Sequence, residues 1–168
     1  EGLNFGSAAA GSGRAVHAGG AKSPDWTTGR NNMEYITIAS TGNSTDAGDL
    51  TVARSEGPAG AGNGTRAIWA GGAYPYNDVM DYNAISSTGN ASDFGDLSND
   101  TGLANGSGSL TRFLHSGGID VLQNIDYVAF DTTGNASDFG DLVGQVRSNG
   151  GGDSTEARII NSMGGTIT

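Results

Sequence analysis

The chain has no cysteine, three prolines, and only eight lysines and arginines against eighteen aspartates and glutamates in 168 residues. Without cysteine there are neither disulfides nor thiolate metal sites, so the fold must rest on packing and hydrogen bonds. The few cations are spread thinly along a chain of formal net charge −10. They leave no basic surface to neutralise a phosphate backbone, and nucleic acid is not an expected partner. No apolar run approaches the roughly 20 residues of a membrane-crossing helix, and membrane insertion is not expected. The sequence opens at Glu1 without an initiator methionine or a signal-like segment, as expected of a processed or trimmed product.

What is abundant is glycine, with 30 residues, while charged residues make up only 15%. Glycine costs roughly 1 kcal/mol against alanine inside a helix, and Gly, Ser, Thr and Asn recur every few positions where they suit tight turns between short strands. An almost wholly β protein is expected. Most acidic residues fall in repeated turns, where they keep a glycine-rich β surface soluble and discourage strand edges from pairing.

The chain repeats itself. Thr41-Gly42-Asn43-Ser44-Thr45-Asp46-Ala47-Gly48-Asp49-Leu50 returns as Thr88-Gly89-Asn90-Ala91-Ser92-Asp93-Phe94-Gly95-Asp96-Leu97 and as Thr133-Gly134-Asn135-Ala136-Ser137-Asp138-Phe139-Gly140-Asp141-Leu142, with starts 47 and 45 residues apart. A period of this size belongs to stacked or radially arranged supersecondary units that bury their apolar surface against neighbours.

A second signature precedes each turn motif: Arg14-Ala15-Val16-His17-Ala18-Gly19-Gly20, Arg66-Ala67-Ile68-Trp69-Ala70-Gly71-Gly72, Arg112-Phe113-Leu114-His115-Ser116-Gly117-Gly118, and a fourth copy from Arg158 to Gly165 with one extra residue. Each reads as a short buried strand closed by glycines that need φ > 0 or close backbone approach. The clearest strand follows, Met33-Glu34-Tyr35-Ile36-Thr37-Ile38, matched at Met80-Asp81-Tyr82 and Ile125-Asp126-Tyr127. Its large residues alternate, Met33 and Tyr35 on one face and Ile36 and Ile38 on the other, which suits a sheet covered on both sides. From Tyr to Thr-Gly-Asn the gap is six residues in every copy, whereas from Gly-Gly to Met or Ile it is thirteen, eight and seven. Variation is thus confined to one loop. Beyond each Leu a weaker strand such as Thr51–Arg54 is expected to start the next unit, turning at Asn63-Gly64 in one copy and near Gly106-Ser107-Gly108 in another.

About four short strands in roughly 46 residues is the size of a β-propeller blade. The expected fold is therefore all-β, a single repeat domain over 1–168 with units of roughly 1–50, 51–97 and 98–142 and a partial unit over 143–168. About three and a half blades cannot close a ring, which needs at least four, so closure requires another chain or more repeats. The Gly-Gly strand, the Asp-Tyr strand and a downstream arginine, near Arg54 and Arg147, resemble the Kelch repeat. The chain departs from it at Ala47, Phe94 and Phe139, near the place where that family has a Trp. The pairing of Asp-Tyr with Thr-Gly-Asn-Ala-Ser-Asp-Phe-Gly-Asp-Leu resembles repeats in large structural proteins of tailed phages from aquatic habitats. That resemblance covers nearly the whole chain and implies a structural role with no activity to carry over.

Candidate chemistry is sparse. The pairs Asp46/Asp49, Asp93/Asp96 and Asp138/Asp141, with Asn43, Asn90 and Asn135, are the nearest approach to a Ca²⁺ site. Turn architecture explains them more simply, because neither EF-hand spacing nor the nonapeptide of calcium-binding β-rolls is present, and no cofactor is expected. Their Asp-x-Gly-x-Leu part resembles the Asp-box turn of sialidase-type propellers, which in that family is structural. His17 and His115 share a repeat position with Trp69 and Asn161, an interchange that points to packing between blades rather than to a ligand or general base. No Gly-x-Ser-x-Gly elbow accompanies the many serines. No catalytic residue is assigned and an enzyme is not expected. Six Asn-x-Ser/Thr sequons, at Asn43, Asn63, Asn90, Asn99, Asn105 and Asn135, would carry surface glycans in a secreted eukaryotic protein.

The most individual feature is a loop holding Tyr74 and Tyr76, with Trp26 in its counterpart, where aromatics and proline suit a sugar face or a protein contact. The chain is accordingly expected to be a structural or interaction protein of a virion (tail, fibre or decoration subunit) or of the extracellular space, associating with copies of itself or other structural subunits. The alternative is a secreted glycan-binding module or extracellular filament subunit.

Overall fold

The computed structural model describes residues 3–4, 6–119, 123–144, 152–154 and 158–161, and among these every regular element is a strand. After β1 (Leu3–Asn4) the first unit is built from β2 (Ser7–Gly11), β3 (Arg14–Ala18), β5 (Arg30–Thr37) and β6 (Thr45–Arg54), hydrogen-bonded in the order β2-β3-β5-β6. Between them β4 (Ala21–Lys22) pairs back with β1 inside the longest of the variable loops. The second unit is β7 (Ala59–Gly62), β8 (Arg66–Ala70), β9 (Asn77–Ala84) and β10 (Ser92–Thr101), again antiparallel and in chain order. The third repeats the pattern with β11 (Asn105–Gly108), β12 (Arg112–Ser116), β13 (Asn124–Ala129) and β14 (Ser137–Asp141), and β15 (Gly152–Ser154) and β16 (Ile159–Asn161) form a two-stranded ribbon beyond it. Among the described residues the architecture is all-β, three complete four-stranded propeller-like blades whose sheets do not close into a ring.

The sheets stack through their first strands, β2 against β7, β7 against β11, and β11 against the β15–β16 ribbon. Alternation then gives every unit a front face, toward the preceding unit, and a back face, toward the next. The first core joins Val16, Met33, Ala47 and Leu50 from the back of unit one to Ala67, Trp69 and Ile85 from the front of unit two. The second joins Ile68, Met80, Phe94 and Leu97 to Phe113, Val128 and Phe130 in the same way. An arginine lies over a tyrosine on each back face, Arg14 on Tyr35, Arg66 on Tyr82 and Arg112 on Tyr127, at 4.0, 4.5 and 5.0 Å from the ring centroids.

Local chemistry explains the strand ends. The three Gly-Gly pairs among the described residues all have positive φ, between 62° and 126°. The second glycine's amide bonds the fourth strand of its own sheet in the first two units, Gly20 to the Arg54 carbonyl and Gly72 to that of Thr101, at 2.9 and 2.8 Å. The fourth pair, Gly164-Gly165, and Arg147 lie outside the described residues. Each Asp-x-Gly segment is a bulge within the fourth strand. Asp46, Asp93 and Asp138 each accept the N–H of the glycine two residues on, at 2.9, 3.1 and 2.8 Å, while Ala47, Phe94 and Phe139 are the extra, unpaired residues. Such a bulge turns its extra side chain out of the regular alternation.

Three expectations need correction. Thr51–Arg54 does not open the second unit but ends β6, and the sheets run over 7–54, 59–101 and 105–141. After a register shift between Asp49 and Arg54 the strand's end still pairs with β5, Arg54 opposite Arg30, a continuation that the apolar pattern does not mark. Gly106-Ser107-Gly108 lies in β11, and the turn falls at Ser109–Thr111, where the Ser109 hydroxyl accepts the amides of Thr111 and Arg112. Finally, the first sheet is not covered on both sides: Ile36 and Ile38 are 46% and 58% exposed, because no unit precedes the first among the described residues.

Candidate assembly faces and aromatic loop

Consecutive units are fastened by the repeated turn motif itself. The amides of Gly89 and Ala91 donate to the carbonyls of Ala47 and Asp49 of the preceding unit, at 2.9 and 2.8 Å, and Gly134 and Ala136 donate to Phe94 and Asp96, both at 2.7 Å. Asn90 and Asn135 complete the clasp by accepting the Asp49 and Asp96 amides through Oδ1, at 3.1 and 3.2 Å. From the sequence these asparagines suit turns bonded to their own backbone; here the side chain reaches across to the next sheet. The approach is close enough that a Cβ on Gly48 would lie 2.4 Å from the Gly89 carbonyl oxygen, and one on Gly95 at the same distance from that of Gly134. Glycine is required there both for contact and for its positive φ, 111° and 137°.

Acidic residues of the Asp-Tyr strands seal each junction. Asp81, fully buried, accepts the Thr51 hydroxyl of unit one at 2.5 Å and pairs with Arg54 at 2.6 Å. Burial pulls the Arg54 guanidinium below its ordinary pKa, and the Asp81 carboxylate acts in the opposite direction. Arg54 Nη1 also donates to the Gly71 and Val79 carbonyls, at 2.5 and 2.8 Å, while its Nε finds no partner. Asp126 takes the Ser98 amide and hydroxyl at 3.0 and 2.8 Å. The arginine's counterpart at this junction is Thr101, so comparing repeats gives no hint of the ion pair. The recurrence of Asn and Asp-x-Gly-Asp together in every copy marks the residues of the clasp but not that they join neighbouring sheets.

The shared repeat position of Trp69 and His115 is interior. Trp69 is fully buried and donates its indole N–H to Asn83 Oδ1 at 2.7 Å. His115 is 3% exposed with Nε2 unpartnered, and desolvation lowers its pKa to about 4 against the opposing pull of Asp126. His17, in the first unit, is only half-buried, and its pKa is lowered mainly by desolvation. Asn161 is in β16. The first aspartate of each pair caps its bulge through the carboxylate, Asp49 and Asp96 join the clasps through main-chain atoms, and no three His, Asp or Glu side chains converge as a metal site among the described residues.

The structure brings two of the three aromatic loop residues together. Tyr74 and Tyr76 stack with centroids 6.2 Å apart and planes at 30°, and Tyr74 is 48% exposed. Trp26, 46% exposed, stands on the corresponding loop of the first unit, which Asp25 ties by accepting from Thr27 and Thr28. Those bonds hold the Asp25 carboxyl down at about 2.

At the ends of the stack the clasp lacks its other half. Ile38 and Phe139, equivalent to the buried Ile85/Phe130 and Ala47/Phe94, are 58% and 52% exposed, against at most 3% for those four counterparts. Gly140 has nothing within 4 Å of a Cβ position, where Gly48 and Gly95 meet a neighbour's carbonyl. No protein-family model matches this chain, and no curated protein does.

Proposed function

We propose that the chain is a non-enzymatic structural protein that works by assembly, a virion subunit of tail, fibre or decoration type located on the particle or in the extracellular space. The observation that carries this reading is the open front face of unit one. Ile36 and Ile38 stand there beside a Thr-Gly-Asn loop, and their counterparts, Asn83 and Ile85 in unit two and Val128 and Phe130 in unit three, are buried under the unit that precedes them. Exposed apolar groups beside unsatisfied clasp amides form a surface prepared for a neighbouring subunit. The likeness of its repeat to those of tailed-phage structural proteins supports a virion as the place of assembly.

Sedimentation and native mass measurement over rising concentration test it. The chain is expected to associate, and Ile38→Asp to stop association while leaving the melting temperature within a few degrees, since an exposed site carries little monomer stability, about 0.5 kcal/mol at most. A chain that stays monomeric at hundreds of micromolar and joins no particle overturns the reading. Imaging the native particle would locate it.

The stacked Tyr74–Tyr76 pair favours a second reading, a secreted glycan-binding module. It predicts glycan-array binding that Tyr74→Ala and Trp26→Ala abolish, with association unaffected.

A further inference from the structure

The back of unit three differs from the backs of units one and two in what covers it. Its outer part presents Phe139, which packs edge-on against Tyr127 at 5.7 Å as Phe94 does against Tyr82, also at 5.7 Å. Phe94 is then covered by the third unit and is 2% exposed, whereas Phe139 is 52% exposed. Gly140 keeps the left-handed φ of 133° required for a close backbone approach, yet open space lies where Gly48 and Gly95 meet a neighbour's carbonyl. The inner part of the same face is already occupied, because β15 and β16 lie on β11 as β11 lies on β7. Among the described residues β16 pairs with β15 alone, whereas β3, β8 and β12 each also pair with the third strand of their sheet.

We propose that this surface receives a half unit: a third-and-fourth-strand hairpin of the same repeat, with an Asp-Tyr strand that adds to the edge of β16 left unpaired among the described residues and a Thr-Gly-Asn loop that closes over Phe139, Gly140 and Asp141. The clasp at Gly48 and Gly95 defines the recognition. Two amides donate to the carbonyls of Phe139 and Asp141, the asparagine accepts the Asp141 amide, and an apolar residue equivalent to Ile85 or Phe130 covers the Phe139 ring. A whole unit from a second copy does not fit, since its first two strands would need the place held by β15 and β16. Val143 stands where Thr51 and Ser98 donate hydroxyls, so the hairpin's acidic residue meets a main-chain amide without the side-chain bond.

The inference rests on the same reading of the chain as an assembling repeat protein, and its test is separate from that of Ile38. The full chain is extended after Thr168 by a second copy of residues 74–101, and amide exchange is followed at Phe139–Leu142. Exchange at Asp141 is expected to slow about tenfold or more, and the same extension carrying Gly89→Val in the added segment is expected to give no protection. Unchanged exchange with the unmodified extension overturns the proposal. So does concentration-dependent protection of Asp141 in the unextended chain, which would assign the surface to a second copy. If the extended chain does not fold, a peptide of residues 74–101 added to the 168-residue chain gives the same readout, with chemical-shift changes confined to 139–142 and β16 expected and their absence decisive against it.

Discussion

The two junctions between complete units share a backbone clasp and differ in what fills them. Between units one and two, the fourth strand ends in Arg54, which turns under the second sheet to meet Asp81, and Trp69 fills the space with its N–H satisfied by Asn83. Between units two and three, Thr101 replaces the arginine, Asp126 accepts from the amide and hydroxyl of Ser98, and the volume is supplied by Phe94, Phe113 and Phe130 around an unpaired histidine nitrogen. The distances of the clasp hardly change between them. Main-chain bonds therefore fix how the units stack, and side chains tune how firmly they hold. A buried charge pair and an aromatic cluster are interchangeable fillers only as complete sets, because removing one partner of a buried pair strands the other.

The largest effect follows from that asymmetry. Arg54→Met should cost about 4 kcal/mol by leaving the Asp81 carboxylate buried without its cation, while Thr101→Val at the second junction should cost less than about 1 kcal/mol. Urea titration of the two variants checks the difference, and Arg54→Met combined with Asp81→Leu should recover part of the loss. Equal costs at both junctions would mean that Arg54 contributes only packing.

The glycines extend the comparison to the open end. Gly95→Ala places a methyl against the Gly134 carbonyl and strains a φ of 137°, and should cost about 3 kcal/mol from overpacking and backbone strain together. Gly140→Ala meets the strain without the contact, and should cost about 1 kcal/mol. If the two variants melt alike, the close approach at Gly95 is not what holds the junction.

Acid should weaken the second junction and not the first. His115 has a folded pKa of about 4 against the ordinary histidine value of 6.5, so the unfolded chain takes up the proton first as pH falls. The histidine's contribution is complete above about pH 6.5, declines between there and about pH 4, and amounts to about 2 kcal/mol lost by pH 5. His115→Phe should remove about that much of the stability difference between pH 7 and pH 5. Trp69 holds the same place at the first junction and does not titrate.

Much of this was legible in the residues. Four strands per unit, the glycine pairs at positive φ, and the interior place of Trp69 and His115 all follow from spacing and interchange within the repeat. The sequence could not show which sheet the Thr-Gly-Asn loop serves, because an asparagine that caps its own turn and one that reaches the next sheet carry the same local pattern. Nor could it show that β6 bulges beyond Asp49, since a register shift leaves no periodic trace and Thr51–Arg54 reads as a fresh strand. Exposure of Ile36 and Ile38 depends on position in the stack rather than on local sequence, and alternation alone made them core. The aromatic loops were recognisable from composition, but the stacking of Tyr74 on Tyr76 was not.

The smallest predicted effect tests the clasp itself. Asn90→Ala and Asn135→Ala each remove one acceptor, from the Asp49 and Asp96 amides. Both asparagines are exposed, so water can replace the lost oxygen and each change should cost only about 0.5 kcal/mol. Because the geometry at the two junctions matches to within 0.1 Å, the two costs should also match, whatever fills the space beneath. Amide exchange should accelerate at Asp49 in the first variant and at Asp96 in the second. Asn43→Ala removes the same side chain from a loop with no preceding unit among the described residues, and should leave monomer stability unchanged while weakening association through the front face of unit one. A loss of monomer stability in Asn43→Ala equal to the other two would show that the asparagine acts within its own turn, and the division between main-chain register and side-chain filler would have to be redrawn.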